Sequence, residues 1–372
     1  MNIPDPVSLV WDSEESLDAT LADLENIAVV YRIETHSGQV YLGRTNMLKR
    51  RITRLLGLRL ETSRVLSLRS LAVGVSYWPT AARLESSLLY YSLARAYFPD
   101  TYKKLVNLRF PSYVRLILSN EFPRTMITTQ LRASGGISFG PFRNRAAAED
   151  FERATLDLFQ LRRCQEDLEP SPDHPGCIYG EMNLCLRPCQ SVVGVSEYHS
   201  EAVRVENFLR SNGESLIDSL ETQRQRLSES MDFEEAARIH RRLERVQGVS
   251  RQRDSLATSM DHQFGIAVNR STQPNTVELR FLWDGSWQDR VAFCLDVLEG
   301  RPVSLDKRLR EVVDSLEKAA YALSVKQEHL ALLCRWFYSS FLDGEWLSFD
   351  GPDSVPYRRL VNAIHRILQP KV

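Results

Sequence analysis

The chain has 372 residues, 43% of them hydrophobic and 26% charged, with 17 glycines, 16 prolines and a net charge of −1. This predicts two to three domains with real cores and excludes low-complexity, collagen-like and disulfide-scaffold classes. No apolar run approaches the roughly 18 residues of a membrane span. The first 15 residues carry no basic stretch ahead of an apolar run, so a cytoplasmic protein without a secretory signal is expected.

The balanced total hides an uneven distribution. Arg44, Lys49, Arg50, Arg51, Arg54, Arg59, Arg64 and Arg69 face a single acid, Glu61, within one stretch. A solvated helix face mixes signs, so this excess points to a polyanion such as nucleic acid.

In chain order, residues 1–22 read as an irregular arm leading into a short helix, and 23–111 as a compact mixed unit. Residues 27–33 and 39–42 form a hairpin about a turn at 36–38. Asn46 is placed to cap a basic helix running to Leu56, and residues 73–78 give a third strand. Thr80 is placed to cap a helix over 81–97, stopped by Pro99. Residues 112–160 connect onward through extended segments, a glycine-rich turn and a helix from about Ala146 to Leu161. Residues 161–195 hold four cysteines among prolines, 196–250 are helical and charged, and 251–372 return to strands and amphipathic helices. No internal repeat is present.

Phosphodiester hydrolysis needs a positioned water, a metal to polarise the phosphate, and cations for the charge that develops. Val29, Val30 and Tyr31 form one triplet, and Tyr41, Leu42 and Gly43 a second one ten residues later, with Arg44 and Arg51 following. Glu85 lies on a largely apolar predicted helix with no salt-bridge partner at helical spacing, and an acid so placed more often has a task. This set resembles the GIY-YIG nuclease family, which implies Tyr31 and Tyr41 as the paired tyrosines. It also implies Arg44 at the family's usual lysine, Arg51 as its helix arginine, and Glu85 as the ligand of a divalent metal, Mg²⁺ or Mn²⁺. Val29 stands where the family has glycine, and Lys103 lies in the stretch where it has asparagine.

Cys164, Cys177, Cys185 and Cys189 are spaced C-x12-C-x7-C-x3-C, whereas Cys294 and Cys334 sit alone in apolar runs and read as buried small hydrophobes. In a reducing compartment clustered thiols suit a metal or a cluster better than disulfides. By spacing alone, zinc and iron–sulfur both remain open. His174 reads as a loop residue. The run Phe139–Phe142 with the four cysteines resembles the segment after the nuclease domain in the UvrC excinuclease family. That resemblance implies a [4Fe–4S] cluster on the four cysteines, with Zn²⁺ as the alternative.

Residues 230–246 place Phe233, Ala236, Ala237, His240 and Leu243 near one helical face, behind a turn at Met231 and Asp232 and a preceding helix over 215–228. This resembles the UVR motif, a helical hairpin that implies pairing with a UvrB-like subunit. Strands from Phe264 to Val297 read as a remnant of the region leading into the ribonuclease H-like second nuclease of longer UvrC chains. No later D-x-S-like stretch follows, so that second nuclease is expected to be absent.

The fold class expected is therefore α+β: a small GIY-YIG mixed domain, a cysteine-rich cluster segment, a helical UVR hairpin and an α/β C-terminal region. The function expected is a single metal-dependent incision, on the 3′ side of a lesion, by an endonuclease of nucleotide excision repair. Damaged double-stranded DNA and a UvrB-like subunit are the expected partners, with no membrane and no small-molecule substrate. The alternative is a non-catalytic protein that binds DNA and UvrB, its nuclease core decayed.

Overall fold

The computed structural model describes residues 2–58, 67–296 and 303–369. Arg59, Glu61 and Arg64 of the basic run, and Val297, lie outside the described residues. No helix among the described residues is long and apolar enough to cross a membrane.

The first unit contains β1 (Val7–Val10), α1 (Glu14–Asp23), β2 (Val29–Thr35), β3 (Val40–Thr45), α2 (Leu48–Leu56), β4 (Ala72–Pro79), α3 (Arg83–Tyr97) and α4 (Tyr102–Val106). Its antiparallel sheet has the order β1-β4-β2-β3. The expected hairpin is β2–β3. The expected irregular arm is instead part of the sheet, because β1 pairs with β4 from Val7↔Tyr77 to Val10↔Gly74 and covers its open edge. Trp78 Nε1 also donates to the Pro4 carbonyl at 2.7 Å.

Period-two alternation divides β2 between two cores. Val29, Tyr31 and Ile33 pack against α1 and α2, and Val30 packs against α3. On α2, Leu48, Ile52, Leu55 and Leu56 face inward and leave the basic residues outward.

Both predicted helix caps in this unit are corrected. Neither Asn46 nor Thr80 caps a helix. The Arg50 amide of α2 donates to Asn26 Oδ1 at 3.1 Å, and the Arg83 amide of α3 donates to Asp343 Oδ2 at 2.5 Å. Tertiary acceptors satisfy these helix starts, which local spacing cannot reveal.

The second unit contains β5 (Ser112–Ile117), β6 (Arg124–Thr128), β7 (Gly136–Phe142), α5 (Arg145–Leu156), α6 (Ile178–Glu181), α7 (Val195–Arg210), α8 (Glu214–Glu229), α9 (Phe233–Gln252) and the short β8 (Thr258–Ser259). The sheet order is β6-β5-β7-β8. One core joins Val114, Phe139, Phe151 and Leu161 to Tyr198, Phe208, Leu243 and Val249. This core runs from β5 to α9 and takes in Leu161 at the start of the cysteine stretch.

The third unit contains β9 (Phe264–Arg270), β10 (Thr276–Trp283), β11 (Ser286–Cys294), α10 (Leu305–Asp314), α11 (Leu323–Phe337), β12 (Gly344–Phe349) and α12 (Tyr357–Leu368). Its sheet, order β11-β10-β9-β12, is antiparallel throughout. Helices α10 and α12 cover one face. Helix α11 lies in a core shared with α3 of the first unit, in which Leu84, Leu88 and Tyr91 meet Trp287, Leu330 and Trp336. Cys334 is buried there as expected, but Cys294 is only half-buried, with its thiol 3.4 Å from Asp296 Oδ2.

A buried polar knot fixes this junction. Glu328 on α11 accepts from Tyr91 Oη at 2.6 Å and Tyr102 Oη at 2.9 Å, and pairs with Lys103 Nζ at 2.9 Å. Lys103, from the stretch where the nuclease family has asparagine, is thus a structural partner of Glu328.

Candidate active site

Tyr31 sits in the middle of β2, opposite Gly43 on β3 and Tyr77 on β4. Its phenol crosses Gly43, where a Cβ would collide with the hydroxyl. This close approach explains the glycine of the second triplet. Arg51, one turn into α2, donates from Nε to Tyr31 Oη at 2.8 Å. The helix after the hairpin therefore brings its arginine back to the strand tyrosine as expected. Tyr41 lies on the same face of the sheet, half-buried against the α1–α2 core.

Arg44 projects from β3 toward α3. Its Nη1 donates to Ser87 Oγ at 2.9 Å, and its guanidinium lies 4.9 Å from the Tyr90 ring centroid. Burial pulls the Arg44 guanidinium below its ordinary value, with the Tyr90 charge opposing. Tyr90 is pushed up, mainly by burial; Arg44 lowers it and the Tyr31 hydroxyl raises it. Arg44, the register partner of Val30, lies on the α3 side of the sheet, whereas Tyr31, which Arg51 reaches, packs on the α1–α2 side. Sequence reading missed Ser87 and Tyr90, although positions 83, 86, 87 and 90 share one helical face, the available signal.

Glu85 points elsewhere. It is 6% exposed, and Arg280 of β10 holds both its oxygens, Nε to Oε2 at 3.0 Å and Nη2 to Oε1 at 2.9 Å. Arg290 lies 3.9 Å from Oε1. Arg280 takes one lone pair on each oxygen and neutralises the carboxylate's charge, so Glu85 is committed to an ion pair and not left as a free anionic ligand. Among the described residues no group of three or more His, Cys, Asp or Glu side chains is arranged to hold a metal ion. Glu85 as placed does not fit a divalent metal. Its missing salt-bridge partner lies 195 residues away.

The cysteine stretch hangs from the second unit's core. Arg162, 1% exposed, donates to the carbonyls of Phe122 and Glu166 at 2.9 and 2.7 Å. The Arg162 amide donates to Tyr198 Oη at 2.9 Å. Hydrogen bonds to Arg162 therefore contribute to ordering a segment that composition alone assigned to ligation. Burial and the neighbouring Cys164, Cys177 and Cys189 push the Cys185 thiol up to about 11, the Arg187 amide opposing them. That amide donates to Cys185 Sγ at 3.4 Å, and Arg162 Nη1 lies 3.5 Å from Cys164 Sγ. Thiols with N–H donors beside them suit a thiolate-bound group in kind, but as placed no three of the four are arranged to hold one. His174 is a loop residue, its Nδ1 accepting from the Gly176 amide.

Helices α8 and α9 form the expected antiparallel hairpin. The inward stripe is Ile239, Leu243, Val246 and Val249. Of the residues read as one face, only Leu243 is buried, because α9 turns the stripe one step from the predicted line. Phe233 and Met231 stand 66% and 76% exposed at the tip.

Residues 113–208 match the family model of the UvrC/Cho excinuclease middle domain, and residues 214–249 match the UvrB/UvrC motif. The chain is 26% identical to UvrABC system protein C of Lachnospira eligens over 264 residues, 70% of this chain and 43% of that protein. It is 26% identical to UvrABC system protein C of Acetivibrio thermocellus over 271 residues, covering 72% and 43%. The protein of the same name from Thermoanaerobacter sp. strain X514 is 24% identical over 274 residues, covering 73% and 45%. The chain thus matches less than half the length of these relatives. No solved structure matches it. Across these segments the chain is UvrC-like.

Proposed function

We propose that this UvrC-like chain works in nucleotide excision repair as a cytoplasmic excision nuclease of GIY-YIG type. It binds damaged double-stranded DNA, docks on a UvrB-like subunit through the α8–α9 tip, and makes one incision on the 3′ side of the lesion. The observation that carries the incision role is the 2.8 Å hydrogen bond from Arg51 to Tyr31 Oη, with Arg44 on the neighbouring strand. In this reading a water attacks the phosphorus in line as the P–O bond opposite it breaks; Tyr31 or Tyr41 assists removal of the water's proton, solvent protonates the leaving oxygen, and Arg51 and Arg44 balance charge on the phosphoryl oxygens. Because Arg280 occupies Glu85, no step is routed through a metal. Cys164, Cys177, Cys185 and Cys189 are assigned to a [4Fe–4S] cluster, with Zn²⁺ as the alternative, from their clustered spacing and the family resemblance.

The test is incision of a lesion-bearing duplex in the presence of a UvrB-like subunit and Mg²⁺ or Mn²⁺. A nick 3′ of the lesion that disappears in Tyr31→Phe supports the reading. Intact DNA together with retained UvrB binding supports a second reading, a non-catalytic accessory. The Glu85–Arg280 pair favours that alternative.

A further inference from the structure

A cleft of about 660 Å³ opens where the first and third units meet, between the β3–α3 side of the nuclease-like unit and α11. Arg44, Arg83 and Arg335 line it, with hydroxyls of Thr45, Ser86 and Ser87 between them. Asp343 is the one acid among the lining residues. Its carboxylate is already engaged by the Arg83 amide at 2.5 Å and Trp336 Nε1 at 2.9 Å.

The three guanidinium groups lack carboxylate partners among the described residues. Arg44 rests on Ser87 and the Tyr90 ring. Arg83 stacks 5.5 Å from the Phe341 ring centroid. Arg335 Nη1 donates to the Val106 carbonyl at 2.9 Å, with Asn107 receiving Nη2. Burial lowers Arg335, and the charges of Arg44 and Arg109 lower it further. Arg44 and Arg335 therefore repel across the cleft. Like charges held together in a partly desolvated space are costly unless an anion enters between them. The start of α3 opens on the same space, with Ala82 as an N-cap that has no capping side chain. Asp343, bound to the Arg83 amide, caps that start instead, so the arginines and not the helix end supply the positive field.

We propose that this cleft binds phosphate esters, with Arg83 and Arg335 gripping a phosphodiester strand beside Arg44. A nucleic-acid backbone and a free nucleotide share this chemistry. The backbone assignment rests on the DNA-repair reading; the anion site itself does not.

The test is fluorescence anisotropy of a labelled undamaged oligonucleotide against the full chain over a range of salt, with AMP and inorganic phosphate as competitors. Arg83→Gln and Arg335→Gln should each weaken oligonucleotide binding about fivefold and flatten the salt slope by about one charge. Arg145→Gln, an exposed arginine paired with Glu149 outside the cleft, should leave both unchanged. Arg335 also ties two carbonyls, so a thermal melt accompanies that variant. If it unfolds, the exposed Arg83 decides the matter alone. Binding and slope that stay at wild-type values in the cleft variants overturn the proposal while leaving the incision reading standing. Binding of AMP through Arg83, with no binding of oligonucleotide, keeps the anion site and removes its DNA assignment.

Discussion

Arg280 and Glu85, 195 residues apart in the chain, form a bidentate ion pair whose side chains are 5% and 7% exposed. It joins the nuclease-like unit to the C-terminal sheet and ties the carboxylate that the family resemblance would give to a metal. Removing one partner of such a pair leaves a buried charge uncompensated. Arg280→Met should therefore cost about 3–5 kcal/mol of stability. The double variant Arg280→Met with Glu85→Leu should recover most of that loss. Chemical denaturation of the three variants measures the coupling, and additive losses would mean the pair contributes nothing.

Tyr31→Phe keeps the ring against Gly43 and removes only the oxygen that Arg51 reaches. Incision should fall by about 10²–10⁴-fold, the range of a lost proton-transfer group. The melting temperature should stay near wild type. Undiminished nicking would remove Tyr31 from the site.

At the hairpin tip, Phe233→Ala should leave the free protein as stable as wild type, because the ring is exposed. Association with a UvrB-like subunit should weaken by about 2–4 kcal/mol if the ring anchors that interface. Titration calorimetry reads both partners directly, and unchanged affinity would separate the hairpin tip from UvrB docking.

Protein purified without oxygen should be brown, with about four iron and four sulfide per chain. Cys185→Ser should lose the colour, while Cys294→Ser and Cys334→Ser keep it. A colourless preparation with one zinc per chain would retain the ligands and replace the cofactor.

His329 on α11 accepts from the Trp287 amide at 3.0 Å. Burial, with the Arg95 charge assisting, holds it down to about 3 from an ordinary value of 6.5. The unfolded chain takes up this proton below about 6.5, and the folded chain does so only near 3. The stabilisation is thus fully present above about pH 6.5 and is lost as pH falls from there toward 3. Its slope within the window is about 1.4 kcal/mol per pH unit. His329→Gln keeps an acceptor for Trp287 and removes the titration, so its stability should fall less than wild type between about pH 6.5 and 4. Parallel profiles would place the linkage elsewhere.

The elements legible in the sequence are those set by neighbouring residues. The β2–β3 hairpin follows from alternation and a turn. Helix α2 follows from apolar spacing that leaves its arginines outward, and the return of Arg51 to Tyr31 follows from placing that helix directly after the hairpin. The α8–α9 hairpin is legible in the same way, with its turn at Met231 and Asp232, because helical periodicity is carried within a few residues. The four cysteines are equally visible, since their spacing is local.

Tertiary structure alone decided what each polar group met. Glu85 found Arg280, Lys103 found Glu328, and the start of α3 found Asp343, each from a distant strand, helix or loop. The arm containing β1 became the edge of a sheet because β4 offered unpaired backbone groups. Arg335 was brought beside Arg44 by the packing of α11 on α3. Pairings of this kind depend on how three units close on one another. A sequence read through its short-range periodicities carries no record of that closure.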